Sequence, residues 1–376
     1  MLDIRSNEVL LRALTDDPYR YSLALGCTDC PNFELCGGLS VRDPIMDCMD
    51  LCCGRPDECT NVCAKNPARY VDQKREVLGF NLANIARVQG HYEHLPYDVV
   101  PLIYHGTGRD RAATGPIFAL RLRDVVRFSD ASLRYPTHEE LCAAFKIDHS
   151  ASIILSGVDH DEDIEPWWTL GAQRTLLIRQ LRDLQIQLVT SPNFSLVLDK
   201  PRTDDLHAMK RIAILWSEFE ENRIACALHV NSRTYRDFER WAAFVSERPE
   251  IQVISYEFIT GSGRKDRREF HIQGLCAIAQ VADRPIDIVV RGDPDVVAQL
   301  RPHFRSVIYI DTTAYIKTIK RQRAVRANNN SLDWVSTTTT HPSQVDNMLE
   351  HNISENALFL RGRFYSQDLL QPIGDP

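Results

Sequence analysis

The chain predicts an α/β protein: a (β/α)8 barrel-like domain preceded by an N-terminal cysteine-rich metal-binding module. Three observations lead there. Eight short apolar runs alternate with helically periodic stretches between residues 99 and 312. Such strands, joined by crossover helices, lie parallel, and eight of them can close a ring. Eight of the eleven cysteines fall between Cys27 and Cys63. Finally, 376 residues with 44% hydrophobic and 25% charged side chains suit one large domain plus a small module, and exclude a disordered or fibrous chain. An open doubly wound sheet is the alternative arrangement of the same runs.

The first segment, MLDIRSNEVLLRALTDD, reads as a short acidic amphipathic helix. Asp3, Arg5 and Glu8 interrupt it, so it does not have the uninterrupted apolar stretch of a signal peptide. No run approaches the roughly 20 apolar residues that cross a bilayer. The expectation is a cytoplasmic protein with no membrane partner.

The cysteine module follows, to about Tyr70, giving expected divisions at 1–70, 71–326 and 327–376. Its spacing is Cys27-x2-Cys30-x5-Cys36-Gly37-Gly38, then Cys48-x3-Cys52-Cys53-x5-Cys59-x3-Cys63. In a reducing compartment such a cluster reads as metal-binding rather than disulfide-bonded, the alternatives being reduced, packed cysteines or a redox switch. Two thiolates separated by two residues can turn back onto one ion, and eight could build two four-thiolate sites, holding either zinc or a [4Fe–4S] iron–sulfur cluster. A segment this poor in apolar surface would draw on the order of 10 kcal/mol of folding energy from its metal. The stretch CTDCPNFELCGG resembles the auxiliary-cluster segment of radical S-adenosylmethionine enzymes, which favours iron–sulfur. The Cys-x3-Cys-x2-Cys signature of radical chemistry is missing. Cys142, Cys226 and Cys276 stand apart and read as small core residues.

The strand candidates come next, at 99–105, 117–126, 151–159, 186–194, 224–230, 251–258, 286–292 and 306–312. Helical periodicity lies between several of them, at 170–185, 204–222 and 235–248. After Lys317 come the basic run KTIKRQRAVRANNN and the segment STTTTHPS; Asn328–Asn330 and Thr337–Thr340 read as loop or linker, and the last fifty residues as a tail that wraps the barrel or meets a partner.

In a parallel barrel, chemistry sits where strands end. The polar residues there are His105, Asp159, His160, Asp161, Asp163, Asn193, Asp199, His229, Asn231, Glu257, Arg291 and Asp311. Of these, Asp159, His160, Asp161, Asp199, His229, Glu257 and Asp311 are the catalytic candidates. In GVDHDEDIEPWW the carboxylates around His160 would repel one another without a cation or a basic partner, so the set suits a divalent metal or acid–base work, or else is simply an acidic loop. Trp167 and Trp168 offer an apolar wall for a base or ring, or else a core pair.

The loop ITGSGRKDRREF sets Gly261 and Gly263 beside Arg264, Lys265, Arg267 and Arg268, a pattern that can hold phosphate through backbone N–H groups and positive charge. It is not a P-loop, because the Gly-Lys-Ser/Thr ending is absent. The same loop also reads as a solvated basic turn. Lys317, Lys320, Arg321, Arg323 and Arg326 could extend the patch or form a charged helix face. A net charge of −7 means that any polyanion contact must be local.

Four features, Gly79-Phe80-Asn81, GVDHDEDIEPWW, TSPNFSLVLDKP and VIYIDTT, resemble the uncharacterised family numbered 4417 among domains of unknown function, over about residues 79–317. The resemblance implies a compact α/β barrel in a mobile-element or phage-defence setting, with partner proteins encoded nearby. It singles out Asp159, Asp161, Asn193, Ser195 and Asp199. The cysteine module and an insertion that includes HGTGRDRAATG depart from the family pattern. The expected function is an enzyme acting on a nucleotide or nucleic acid, by base modification or exchange, with Asp159 or Asp311 as nucleophile. The alternatives are a nucleic-acid-binding or sensing protein with a structural metal module, and a redox partner.

Overall fold

A computed structural model describes residues 22–23, 40–41, 67–196, 202–259, 261–263, 265–327 and 331–366. The eight clustered cysteines, the N-terminal helix expected before them, Asp199 and Arg264 lie outside the described residues.

Helix α1 (Pro67–Glu76) leads into the barrel strand β1 (Val99–Pro101). There follow β2 (Ile117–Arg121), α2 (His138–Phe145), β3 (Ser152–Ser156), α3 (Asp161–Thr169), α4 (Gln173–Arg182) and β4 (Leu188–Thr190). Then come α5 (Arg202–Glu221), β5 (Cys226–His229), α6 (Tyr235–Ser246), β6 (Val253–Phe258) and α7 (Lys265–Ala282). The barrel ends with β7 (Asp287–Gly292), α8 (Val296–Leu300), β8 (Ser306–Asp311) and α9 (Thr313–Ile319).

All eight strands pair in parallel and in chain order from β2 round to β8, and β8 returns to β1. The ring nearly closes through a Leu102–Ala119 bridge, where Ile103 N–H donates to Ala119 O at 2.9 Å. The result is a nearly closed parallel barrel surrounded by helices. Its strands are continuous apolar runs because they are buried on both faces. The first crossover, 102–116, carries no helix.

Inside the ring Val100, Leu102, Ile117, Ala119, Ile154, Leu188, Ala227, Val253, Val289, Ile308 and Ile310 pack together, with Tyr92 and Leu95 closing the N-terminal end. The opposite strand faces join the helices in a larger core around Trp216, Trp241 and Phe219. Helix α6 is fixed by a capping box between Thr234 and Asp237, with six of its residues buried. Cys142 and Cys226 are buried and Cys276 half-buried, all as free thiols; burial raises the Cys142 and Cys276 thiols to about 11, so they stay protonated.

Thr337–Thr340 carries no helix or strand, and ordered elements lie on both sides of it. A hairpin of β9 (Gln322–Arg326) and β10 (Leu332–Ser336) leads to the 19-residue helix α10 (Pro342–Leu360), which buries Val345, Met348 and Leu349. Among the described residues no helix is long and apolar enough to cross a membrane.

Candidate functional site

Alternation along the strands places the site. The inward phase that is apolar at the bottom (117, 119; 154; 188; 253; 289) continues upward to Arg121, Ser156, Thr190, Glu257 and Arg291. The interior therefore changes from aliphatic to polar at the ends where the strands finish. Glu257 and Arg291 are register partners, as are Arg121 and Ser156.

Hydrogen bonds span this mouth. Arg291 Nη1 donates to Val158 O at 2.8 Å, reaching from β7 to the end of β3. Asn193, just past β4, accepts from Asp159 N–H at 3.1 Å and donates through Nδ2 to Glu257 Oε2 at 2.8 Å. The amide orientation of Asn193 is thus fixed from both sides. Gly157 permits the close packing of the two loops: a Cβ there would lie 2.2 Å from Thr190 O.

Burial pushes the Glu257 carboxyl above the usual carboxylate range; Asp159 adds to the shift, and Arg291, Arg233 and His160 oppose it. Asp159 faces Arg123 at 3.6 Å and Arg121 at 3.8 Å, and its Oδ2 is buried without a hydrogen-bond partner. Arg291 Nε is likewise unpartnered. The mouth thus unites two carboxylates in unlike surroundings, one amide that joins the Asp159 backbone to the Glu257 carboxylate and several guanidinium groups, an arrangement suited to proton transfer beside an anion.

Of the sequence candidates, Asp159, Asn193, Glu257 and Arg291 meet here. His160 and Asp161 sit at the start of α3, on the rim; Asp161 accepts from Ser195 N–H at 3.2 Å. His229 is fully buried with neither ring nitrogen hydrogen-bonded, its ring 5.8 Å from that of Tyr256, and burial lowers its pKa to about 3. Asp311 falls in the opposite phase of β8, with Val307 and Tyr309 of the helix-facing core. Its carboxylate accepts from Thr313 N–H at 2.7 Å and Ala314 N–H at 3.4 Å, and Asn356 also bonds it, so it serves the start of α9. Asn231 donates to Phe194 O at 2.9 Å, and His105 packs edge-on to Tyr315.

Two readings left open by the sequence are narrowed. The acidic loop meets basic partners, with Asp159 and Asp163 both facing Arg123, and among the described residues no group of three or more His, Cys, Asp or Glu side chains converges as for a metal. The tryptophans form no open wall: Trp167 is a core residue against Phe128 and Phe219, and Trp168 lies under Arg174 and Arg211.

In the basic loop, Gly261–Gly263 form a turn whose Ser262 Oγ donates to Glu257 O at 2.6 Å. Arg268 pairs with Asp293 and Asp295, and Lys265 is exposed at the start of α7. Arg326 pairs with Glu355 and Lys317 lies over Trp334, so these two charges belong to the hairpin and the elements beside it.

Sequence reasoning missed Arg121, Arg123 and Arg233. For Arg121 the signal was present, since IFALR sets it two residues beyond inward Ala119. No family model and no curated protein matches this chain.

Proposed function

We propose that the chain is an enzyme acting on a nucleotide or nucleic acid at the barrel mouth, by base modification or exchange. The observation that carries this reading is the Asp159–Asn193–Glu257 network beside Arg291. A carboxyl held above its usual range retains its proton closer to neutrality, and so can protonate a leaving group or accept a proton in turn. Arg121, Arg123 and Arg291 would receive the negative charge of a phosphate or of a developing anion. Asp159, between two arginines, is the second carboxylate and the candidate nucleophile. Asp311 contributes to the helix behind the wall.

The mobile-element or phage-defence setting, with partners encoded nearby, is proposed from the sequence motifs alone. Eight thiols suffice in number and kind for two four-thiolate sites, with zinc or iron–sulfur as the proposed occupant. A structural or electron-carrying role would be what such a centre supplies.

The test is to incubate the full chain, purified without oxygen, with mixed nucleotides, single-stranded DNA and RNA, and to follow mass changes in the nucleoside digest. A product is expected from the wild type, and about 10²–10⁴-fold less from Glu257→Gln, which keeps the Asn193 hydrogen bond but cannot exchange a proton. Full turnover by Glu257→Gln and Asp159→Asn would overturn the reading. Salt-sensitive retention of nucleic acid without turnover, abolished by removing Lys265, Arg267 and Arg268, would favour a binding protein.

A further inference from the structure

We propose that a pocket at the N-terminal end of the barrel, remote from the mouth, binds a small organic phosphate carrying a flat ring. The pocket has a volume of about 430 Å³ and lies between the start of β8, the segment before β1 and the end of the C-terminal helix. Three arginines line it: Arg301, Arg305 and Arg361.

Two of these are anchored by carboxylates. Arg305 grips Asp287 through Nε at 2.8 Å and Nη2 at 2.7 Å, and Arg361 grips Asp98 through Nε and Nη2 at 2.7–2.9 Å. In both, Nη1 makes no hydrogen bond among the described residues. Arg301 has no carboxylate partner there. Its Nη1 alone bonds, to Phe364 O at 3.3 Å and Ser366 O at 3.5 Å, while its guanidinium lies 5.6 Å from the Tyr365 ring. Ser306 Oγ, in the same lining, is buried and unpartnered.

The pocket thus carries three guanidinium charges against two carboxylates, and the surplus cation has open donors. Guanidinium forks match the oxygens of phosphate as they match those of carboxylate, and the phosphate carries more charge for the surplus cation to meet. Bare phosphate would leave most of the space empty, since a water occupies only about 30 Å³ in the liquid and small-molecule sites start near ~300 Å³. Phe304 and Tyr365 supply the apolar surface for an organic part. Two of the arginines are held in place before any ligand arrives, which lowers the ordering cost of binding.

The experiment titrates phenyl phosphate, and separately inorganic phosphate, into the full chain at low salt by calorimetry. One saturable site for phenyl phosphate is expected, at least tenfold tighter than for inorganic phosphate. Arg301→Gln should weaken it at least tenfold, and Glu257→Gln should leave it unchanged. Equal affinity for the two probes overturns the assignment, as does an unaltered Arg301→Gln or a loss caused by Glu257→Gln. Hydrogen exchange of the wild type removes dependence on any variant's folding. Phenyl phosphate should slow exchange across 301–307 and 361–366, and slowing confined to 157–160 and 257–263 would overturn the proposal.

Discussion

His229 poses a stability problem that a pH titration can expose. In the unfolded chain its imidazole takes a proton below about 6.5, whereas in the folded protein it does so only below about 3. Between those limits the unfolded state binds the extra proton. Stability is therefore complete above pH 6.5 and falls as pH drops toward 3, by up to about 1.4 kcal/mol per unit. Replacing His229 by Phe removes this dependence and also two buried nitrogens that have no partner. Urea unfolding of His229→Phe should give a flatter stability profile between pH 6.5 and 4 than the wild type, with no loss at pH 7. Identical slopes would show that the imidazole is not held neutral. Glu257 works in the opposite sense. Its raised carboxyl binds a proton more tightly folded than unfolded, so its ionisation subtracts stability as pH rises from the ordinary carboxylate range toward its raised value.

Elements carry the next scale, and the docking of α10 is the clearest case. Arg109 and Asp346 are 1% and 2% exposed and pair at 3.1 Å. Asp346 also accepts from the N–H groups of Asp110 and Arg111, while Arg109 donates to Phe145 O and Lys146 O. The HGTGRDRAATG stretch is thus a clasp that joins the first crossover to the C-terminal helix. Asp346→Ala leaves a buried guanidinium without its counter-charge, a change that costs about 3–5 kcal/mol. A drop of that size is expected in urea unfolding, with faster proteolytic release of α10; a loss below ~1 kcal/mol would deny the clasp its importance. Nothing in the sequence announced this helix, because its buried stripe includes Asp346, Asn352 and Asn356 among the apolar positions. Asn352 bonds Ala324 N–H, Thr318 Oγ1 and Gln322 O, so its burial is paid for by partners that only the fold brings near. The eight strands were legible for the opposite reason: each is a short, mostly apolar run with its polar residues towards the ends. At the mouth, strand ends alone could not separate Glu257 from Asp311. The phase of alternation could, since Val253 and Glu257 share the inward face whereas Asp311 follows Val307 and Tyr309 outward. Gly79 likewise has a backbone role, taking φ +86 just after α1 while Phe80 is buried.

For the whole molecule, the division of labour is along the barrel axis. One end holds the Asp159–Glu257 network, and the other is closed by Asp287, which Tyr92, His94 and Arg305 all contact within 3.0 Å. Burial alone would raise the Asp287 carboxyl, but those donors more than offset it and hold it below the usual range. Among the described residues the barrel interior is filled by its own strands and by Tyr92 and Leu95. Metal loss should therefore not unfold it. Protein purified without oxygen is expected to carry either matched iron and sulfide with a broad visible absorption, or about two zinc ions for two four-thiolate sites. After chelation, the cooperative far-ultraviolet unfolding transition of the barrel should persist, with proteolysis becoming faster only before residue 67. Protein that never holds metal would refute the thiolate sites, and loss of the barrel transition on chelation would mean that metal and barrel fold as one unit.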